Sequence, residues 1–252
     1  MNYITFNNQR SDALGIYVST FPNYSYPEKN IESISIPGRN GDIILDSGTY
    51  KNVDVSYNVS IYQPMYGESA ITYASIKDRM IAITKWLHPD KLGYCELSDT
   101  YYPGYYRLAI CKNAGEVENL LNTVGRATIR FNCRPERFKA STSWTTYNQN
   151  NSYVNITSDP VCNNTIAAFD IQTIANTAVT FDIQCPNSNY DSAFQISSGD
   201  SIIIDGDTLT PNVAGAESRI LRATAMPRLT PGQNKIRVTS GSVKVRPRWW
   251  IL

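Results

Sequence analysis

Histidine is almost absent from this sequence: His88 is the single histidine among 252 residues. A Ser-His-Asp triad or a Cys-His pair would therefore depend on that residue. His88 stands directly before Pro89, which ends a predicted helix, and an imidazole at a helix C-terminus interacts favourably with the helix dipole. A structural role at the helix end accounts for His88, and the sequence does not favour a hydrolase of either type.

Signatures of metal, nucleotide and phosphate sites are also missing. A zinc site needs several histidine or cysteine ligands at close spacing, and no two cysteines form a C-x-x-C motif. Neither G-x-x-x-x-G-K-[ST] nor G-x-G-x-x-G occurs. We therefore expect no catalytic residue, no cofactor and no metal. The five cysteines are expected to be free thiols in a reducing cytoplasm; they are Cys95, Cys111, Cys133, Cys162 and Cys185.

Two pairs of carboxylates are the remaining route to an enzyme, because glycosidases use two carboxyl groups about 5–10 Å apart. Asp42 and Asp46 flank an apolar run, and Asp205 and Asp207 flank Gly206. Both pairs lie at predicted turns, where aspartate is common because its side chain hydrogen-bonds the nearby backbone. A structural role is favoured for both pairs, and a two-domain glycosidase ranks third among the functions considered.

Membrane and nucleic-acid binding receive no support from charge or hydropathy. Lysine and arginine number 23 against 22 aspartates and glutamates, a net charge of +1, so strong nonspecific attraction to DNA or anionic lipid is not expected. No run approaches the roughly 18 apolar residues of a membrane-spanning helix. The polar start of the chain does not resemble a secretory signal, which fits synthesis in a bacterial cytoplasm.

Residues that favour β-strands are abundant, including 17 tyrosines and many threonines, valines and isoleucines. The predicted fold class is therefore mainly β. In the first half an apolar stripe at helical spacing predicts one helix among the strands; it consists of Tyr73, Ile76, Met80, Ile83 and Leu87. The second half has short β-rich runs between turns, which predict a β-sandwich or jelly roll; two of these runs are Lys235–Thr239 and Val243–Val245.

The predicted domains are residues 1–136 and 137–245, followed by a tail of residues 246–252. A proline ends the last strand of the first domain. The polar run that follows it, up to Asn151, is interpreted as a linker or as the start of the second domain.

The stretch from Ile34 to Tyr62 combines a turn with a long alternating strand. Gly38 and Gly41 are expected to take positive φ in a turn whose residue types suit tight backbone; it consists of Pro37, Gly38, Arg39, Asn40, Gly41 and Asp42. Apolar residues then alternate with polar ones; they are Val53, Val55, Tyr57, Val59 and Ile61. With few charges, this strand is a candidate interface, as part of a hairpin from about Ile31 to Tyr62 that pairs or packs between subunits.

The C-terminal tail carries further interface candidates. On a strand, Lys244, Arg246 and Arg248 share a face, which predicts either a solvated edge that blocks aberrant pairing or contact with an acidic partner. Trp249 and Trp250 would point to opposite sides of an extended chain, so at least one should be buried. The buried tryptophan is expected to pack in the core of its own domain, against the N-terminal domain or against a neighbouring subunit.

Several of these segments, in order along the chain, resemble motifs of the distal tail proteins of long, non-contractile-tailed bacteriophages. The segment PGRNGD at residues 37–42 is similar to a signature of the N-terminal domain, and FNCRP at 131–135 to the strand end that closes it. LTPGQNKI at 229–236 resembles a late hairpin of the C-terminal domain, and PRWW at 247–250 resembles the terminal residues. The resemblance spans nearly the whole chain.

This resemblance implies a fold and a function. The fold would be an N-terminal β-sandwich or split-barrel domain with one helix, related to tail-tube proteins, followed by a galectin-like β-sandwich. Six copies would form a ring, or two stacked rings, at the tail tip of the virion. The ring would join the tail tube to a tail-associated fibre protein and a receptor-binding protein, and DNA would pass through its channel without specific binding.

A carbohydrate-binding adhesion module is the second-ranked function. Exposed aromatic rings could stack on sugars, and Trp144, Tyr147 and Tyr153 are the candidates. Galectins use a histidine in their sugar site, however, and the second half of this chain has none. A structural or docking role for the second domain is therefore favoured.

Overall fold

The computed structural model describes residues 2–61, 73–90, 93–114, 116, 125–140, 142–156, 167–174, 178–186, 188–206, 210–212, 215–224, 228–230 and 232–252. The chain divides into two compact units, Met1–Arg137 and Phe138–Ile251. Both are built mainly from antiparallel strands, so the predicted mainly-β class is confirmed.

The first unit contains most of a sheet in the order β2-β1-β8-β9-β10-β7-β3, with β4 also paired to β7. Its elements are β1 (Ile4–Phe6), β2 (Gln9–Arg10), β3 (Ile16–Val18), β4 (Asn23–Tyr24), β5 (Lys29–Ile34), β6 (Ile43–Tyr50), β7 (Val53–Ile61), helix α1 (Tyr73–Leu87), β8 (Cys95–Asp99), β9 (Tyr105–Cys111) and β10 (Arg126–Cys133). A 3₁₀ turn lies at Asp12–Leu14, and β11 (Arg137–Lys139) leads into the second unit.

Strand β7 is the centre of this sheet and confirms the predicted alternation. One edge pairs with β10 over its whole length, and the other pairs with β3 and β4. Its apolar side chains face the core, where Val53, Val55, Tyr57 and Val59 are all buried. Asp54, on the opposite face, accepts hydrogen bonds from Lys112 and Asn132 at 2.9 Å. A period-2 pattern thus yields a strand with one buried and one hydrated face.

Helix α1 covers part of the same core. Met80, Ile83 and Leu87 of the predicted stripe are buried, as is Trp86. The indole Nε1 of Trp86 donates to the carbonyl oxygens of Phe6 and Gln9 at 2.9 and 3.2 Å. The side chains of the two remaining stripe residues, Tyr73 and Ile76, lie outside the described residues.

A half-buried carboxylate ties three strands of the first unit together. Asp99 Oδ2 accepts hydrogen bonds from the hydroxyls of Tyr24 and Tyr57, both at 2.6 Å. Its Oδ1 accepts the backbone amides of Tyr101 and Tyr102, both at 2.8 Å. Burial and the nearby carboxylate raise the pKa of both tyrosines, which therefore stay protonated and act as donors.

The predicted hairpin from Ile31 to Tyr62 is wrong in its connectivity. The turn at Pro37–Asp42 joins β5 to β6, and these two strands form a separate two-stranded sheet. Residues 51 and 52 then lead to β7, which belongs to the main sheet; Tyr62 lies outside the described residues. Since β6 and β7 are both β-rich and no glycine or proline separates them, the sequence did not mark this break.

The second unit has its strands in the order β16-β13-β19-β14-β15-β17, with β12 paired to β19 and β18 paired to β13. They are β12 (Thr145–Ile156), β13 (Ala167–Thr173), β14 (Val179–Gln184), β15 (Ser192–Ile196), β16 (Ile203–Ile204), β17 (Ile220–Ala223), β18 (Arg228–Leu229), β19 (Asn234–Pro247) and β20 (Trp250–Ile251). Two 3₁₀ turns lie at Ser188–Tyr190 and Ala216–Arg219. The polar run interpreted as a linker or domain start proves to include β12.

Strand β19 is the centre of this unit, and it joins two runs that the sequence presented as separate strands. One edge pairs with β12, and the other pairs first with β14 and then with β13. Ile236, Val238, Val243 and Val245 are buried in the second core. Gly241, with φ of 72°, lies inside the strand instead of ending it.

The basic face predicted to be solvated or to meet an acidic partner is largely occupied within the unit. Arg246 Nη2 lies 2.6 Å from Asp170 Oδ2, and Arg248 Nη2 lies 2.7 Å from Asp170 Oδ1 and 2.9 Å from Asp205 Oδ1. The Asp170 side chain is 5% exposed. A buried carboxylate needs paired cations to offset its desolvation. Asp170 on β13 has two of them, Arg246 on β19 and Arg248 just after the end of that strand.

Replacing Asp170 should destabilise the second unit. In Asp170→Ala, Arg248, whose side chain is 14% exposed, loses its buried partner, and breaking a buried pair on one side costs about 3–5 kcal/mol. Urea unfolding followed by tryptophan fluorescence should show this as an earlier transition. Three of the four tryptophans, Trp144, Trp249 and Trp250, lie in this unit.

Asp182→Ala is the matched control, because its pair with Arg237 is more exposed, at 28% and 36%. Its loss of stability should be much smaller, since exposed pairs are screened by solvent. Equal midpoints for the two variants would contradict the role assigned to Asp170.

Thiol labelling should follow burial. Burial raises the pKa of Cys133 to about 12, so at pH 8 the thiol stays protonated and lacks the nucleophilic thiolate. Iodoacetamide should leave Cys133 unmodified in the folded protein and label it in urea, whereas the half-buried Cys185 should be labelled earlier. Peptide mass spectrometry gives the order in which the two cysteines are labelled. Labelling of Cys133 before unfolding would contradict its burial in the first core.

Candidate functional site: an exposed apolar hairpin

The β5–β6 hairpin begins and ends around the predicted turn. Gly38 and Gly41 have φ of 84° and 83°, as predicted. The amide of Arg39 donates to the carbonyl of Ile36 at 3.2 Å. Every residue from Pro37 to Asp42 is exposed. A Cβ added at either glycine would meet no atom within 4 Å, so the requirement for glycine there is conformational.

Aliphatic side chains cover this hairpin without being buried by it. Their exposed fractions are large: Ile31 49%, Ile34 42%, Ile36 38%, Ile44 55% and Leu45 50%. Neither β5 nor β6 pairs with any other strand that the structure describes. An isolated two-stranded hairpin is at best marginally stable in water. The register places Ile31 and Ile44 on one face of the hairpin and Ile34 and Leu45 on the other. Both faces thus leave large apolar side chains exposed, which makes the hairpin a candidate interaction site.

Ionic contacts across the hairpin lie at its surface. Lys29 Nζ is 3.2 Å from Asp46 Oδ2, and Lys51 Nζ is 3.3 Å from Glu28 Oε2. The Gly48 amide and Lys29 lower the pKa of Asp46 by stabilising its charged form. Exposed pairs of this kind contribute little to stability, and they leave the aliphatic side chains of the hairpin exposed.

The prediction that β7 carries an interface is wrong, because its apolar side chains are buried. Val53, Val55, Tyr57 and Val59 belong to the first core, and Ile61 packs against it. Both edges of β7 are paired within the chain. These side chains therefore cannot contact a second subunit without unfolding the sheet, and the exposed residues of β5 and β6 take their place as candidates.

The two C-terminal tryptophans have positions in the second unit. Trp249 is 7% exposed and belongs to the second core, and Trp250 packs against that core while partly exposed. The backbone amide of Lys139 donates to the carbonyl of Trp249 at 2.9 Å. Of the three alternatives considered for the buried tryptophan, packing in the core of its own unit accounts for Trp249.

The residues considered for catalysis are dispersed. His88 follows the last residue of α1, where its amide donates to Thr84 O at 2.8 Å. Asp46 faces Lys29, and Asp205 pairs with Arg248; Asp207 lies outside the described residues. Within the described residues no group of three or more histidine, cysteine, aspartate or glutamate side chains could hold a metal. No described helix is long and apolar enough to cross a membrane.

The aromatic residues considered for sugar stacking differ in their availability. The Arg237 guanidinium lies 4.8 Å from the ring centre of Tyr153, and that of Arg246 lies 5.0 Å from the ring of Trp144. Each ring thus has a face occupied by a cation. Tyr147 is half-buried and lines a groove described below.

Comparison with known proteins relates this chain to phage tail proteins. Residues 11–133 match the family model of the phage tail protein RIFT-related domain. None of the curated proteins matches the chain.

Two solved structures are similar over the whole length. One is the Dit protein of phage SPP1, described as a paradigm of the hub adsorption apparatus in phages that infect Gram-positive bacteria. It is 12% identical, with a TM-score of 0.67 over 100% of both chains. The other is a chain of the phage p2 baseplate in its activated conformation with Sr. It is 8% identical, with a TM-score of 0.50 over 98% of this chain and 97% of that chain. At these identities the likeness shows the fold. The resemblance predicted from the motifs is thus confirmed: residues 11–133 match the model of the phage tail protein RIFT-related domain, and the whole chain has the fold of the SPP1 Dit protein.

Proposed function

We propose that this protein is the distal tail protein of its phage, a non-enzymatic hub of six copies in one ring or two stacked rings. The observation that carries the proposal is the likeness in fold to the SPP1 Dit protein, which covers 100% of both chains. A likeness confined to one unit would have been compatible with many tail proteins. Agreement over both units in order favours the same place in the virion, at the tail tip.

The exposed hairpin supports assembly through the first unit. Ile31, Ile44 and Leu45 are each about half exposed, and burying apolar area contributes roughly 25 cal/mol per Å². A neighbouring subunit is the natural cover for this surface. The hairpin and the surface that receives it would differ, and such a heterologous contact closes into a ring when its rotation divides a full turn.

The remaining parts of the proposal follow from this position. The ring would connect the tail tube to a tail-associated fibre protein and a receptor-binding protein, and DNA would pass through its channel without specific binding. The second unit would be a galectin-like sandwich that serves structure or docking. Synthesis would take place in the host cytoplasm before assembly into the virion. Pairing of Asp46 and Asp205 with cations and the helix-end position of His88 support a role without catalysis.

Polar replacement of the hairpin surface should prevent ring formation without unfolding either unit. The double variant Ile44→Ser/Leu45→Ser changes side chains that are 55% and 50% exposed, so its melting temperature should stay near that of the parent. Light scattering over a concentration series and electron microscopy should show rings for the parent and their loss for the variant.

Leu221→Ser is the control, because Leu221 is 60% exposed in the second unit and lies outside the hairpin. It should form rings like the parent. Rings of the double variant at parental concentrations would reject the hairpin as the contact. A parent that stays monomeric up to millimolar concentration, with no rings in micrographs, would reject the ring.

A β-branched residue at Gly41 should weaken assembly more than stability. Gly41 has φ of 83°, a conformation that costs a non-glycine residue about 1–2 kcal/mol. Gly41→Val should therefore distort the tip of the hairpin and lower the fraction of rings, while the thermal transition of the cores changes little. Asn40→Val is the control, since Asn40 is the neighbouring turn residue and does not have positive φ. Equal ring formation by the two variants would show that the turn conformation is unimportant.

A further inference from the structure

A groove in the second unit has a lining unlike that of an ordinary protein surface. Its volume is about 340 Å³, within the roughly 300–1,000 Å³ of small-molecule sites. One wall is the middle of β12, with the side chains of Tyr147, Asn148, Gln149 and Asn150. The floor is apolar and includes Val238, which is 2% exposed.

Two opposite irregularities in strand pairing open this groove. Asn148 pairs with Ser242 and Asn150 with Val238, so residues 239–241 of β19 lie opposite Gln149 of β12. The next pair is Val154 with Ile236, so residues 151–153 of β12 lie opposite Arg237. The second irregularity compensates the first, and the register is the same on both sides. Bulges of this kind are common beside functional sites, where they redirect side chains.

The lining selects against charged ligands. The residues around the groove include no lysine, arginine, aspartate or glutamate. A phosphate or carboxylate ligand would lose its hydration there without gaining a cation. Amides both donate and accept hydrogen bonds, and here they stand above an apolar floor. This combination matches a saturated ring that carries neighbouring hydroxyl groups and has one apolar C–H face.

The groove amides are not all engaged within the protein. Asn148 Oδ1 accepts the Ser242 hydroxyl at 3.0 Å, and Asn150 Oδ1 accepts the Ser152 amide at 3.1 Å. Both bonds use the oxygen and leave the amide nitrogen to face a ligand. Gln149 is exposed and makes no side-chain hydrogen bond with another described residue. The two hydrogen bonds hold the side chains of Asn148 and Asn150 in position on β12.

We propose that this groove binds a neutral saccharide of one or two sugar units, with Gln149, Asn148 and Asn150 contacting its hydroxyls and Tyr147 closing one end. The proposal does not use Trp144 or Tyr153 as a stacking platform, because an arginine guanidinium lies over a face of each of those rings. The inference goes beyond the hub function, since binding in the second unit requires no ring.

The test uses the purified full-length chain and saturation-transfer difference NMR. The probes are D-glucose, D-galactose, N-acetyl-D-glucosamine, maltose and cellobiose at tens of millimolar, with D-glucuronate and glucose 6-phosphate as charged analogues. At least one neutral sugar should show transfer, and no charged analogue should bind more tightly than its neutral counterpart. Gln149→Ala should weaken binding roughly tenfold, the effect of losing about one ligand hydrogen bond.

Gln195→Ala is the matched control, because Gln195 is an exposed strand glutamine on β15 outside the groove. It should bind like the parent, and circular dichroism confirms that both variants fold. Tyr147→Phe keeps the aromatic ring and should lower the affinity for the sugar, because the hydroxyl is lost. Absence of transfer from every neutral sugar, tighter binding of a charged analogue, or equal binding by the two glutamine variants would each overturn the proposal. Light scattering on the same samples tests ring formation separately.

Discussion

In both units one constraint determines the fold: the backbone of a buried central strand must be hydrogen-bonded along both of its edges. β7 satisfies it with β10 on one side and with β3 and β4 on the other. β19 satisfies it with β12 along one edge and with β14 and β13 along the other. Because every one of these partners comes from the same chain, neither central strand has an edge to offer to another subunit. Assembly has to use elements outside the two cores.

The β5–β6 hairpin is such an element, and its physical properties follow from its exclusion from the main sheet. Its register is set by its own backbone pairs, and its aliphatic side chains remain in contact with solvent. A folded monomer gains nothing from that arrangement, whereas an assembly that covers them gains apolar burial. In the proposed ring, the surface that contacts a neighbour is separate from the two cores, so a change in assembly can leave the fold intact.

Sequence reasoning succeeded where the signal is contained in a short window. The alternation in β7, the stripe on α1 and the positive φ of Gly38 and Gly41 each depend on neighbours in the chain. It failed where the deciding partner is distant: it predicted either a solvated edge or an acidic partner for Arg246 and Arg248, and did not identify Asp170, which lies 76 and 78 residues away. It also joined β6 to β7, since the connection at residues 51 and 52 has no glycine or proline. It divided β19 at Gly241, although the pairing with β12 continues on both sides of that residue.

The groove shows why a ligand site can escape a sequence that contains all of its residues. Residues 145–156 are polar and uncharged, and their composition is that of a linker as much as of a strand. Pairing with β19 decides between the two, and the position of its irregularities decides which amides converge. Had the register continued unchanged from Thr145 to Ile156, the side chains would have alternated regularly between the two faces of the sheet. The two compensating bulges restore the register beyond the groove and thus confine the disturbance to it, so a recognition surface exists there at no cost to the pairing of the rest of β19.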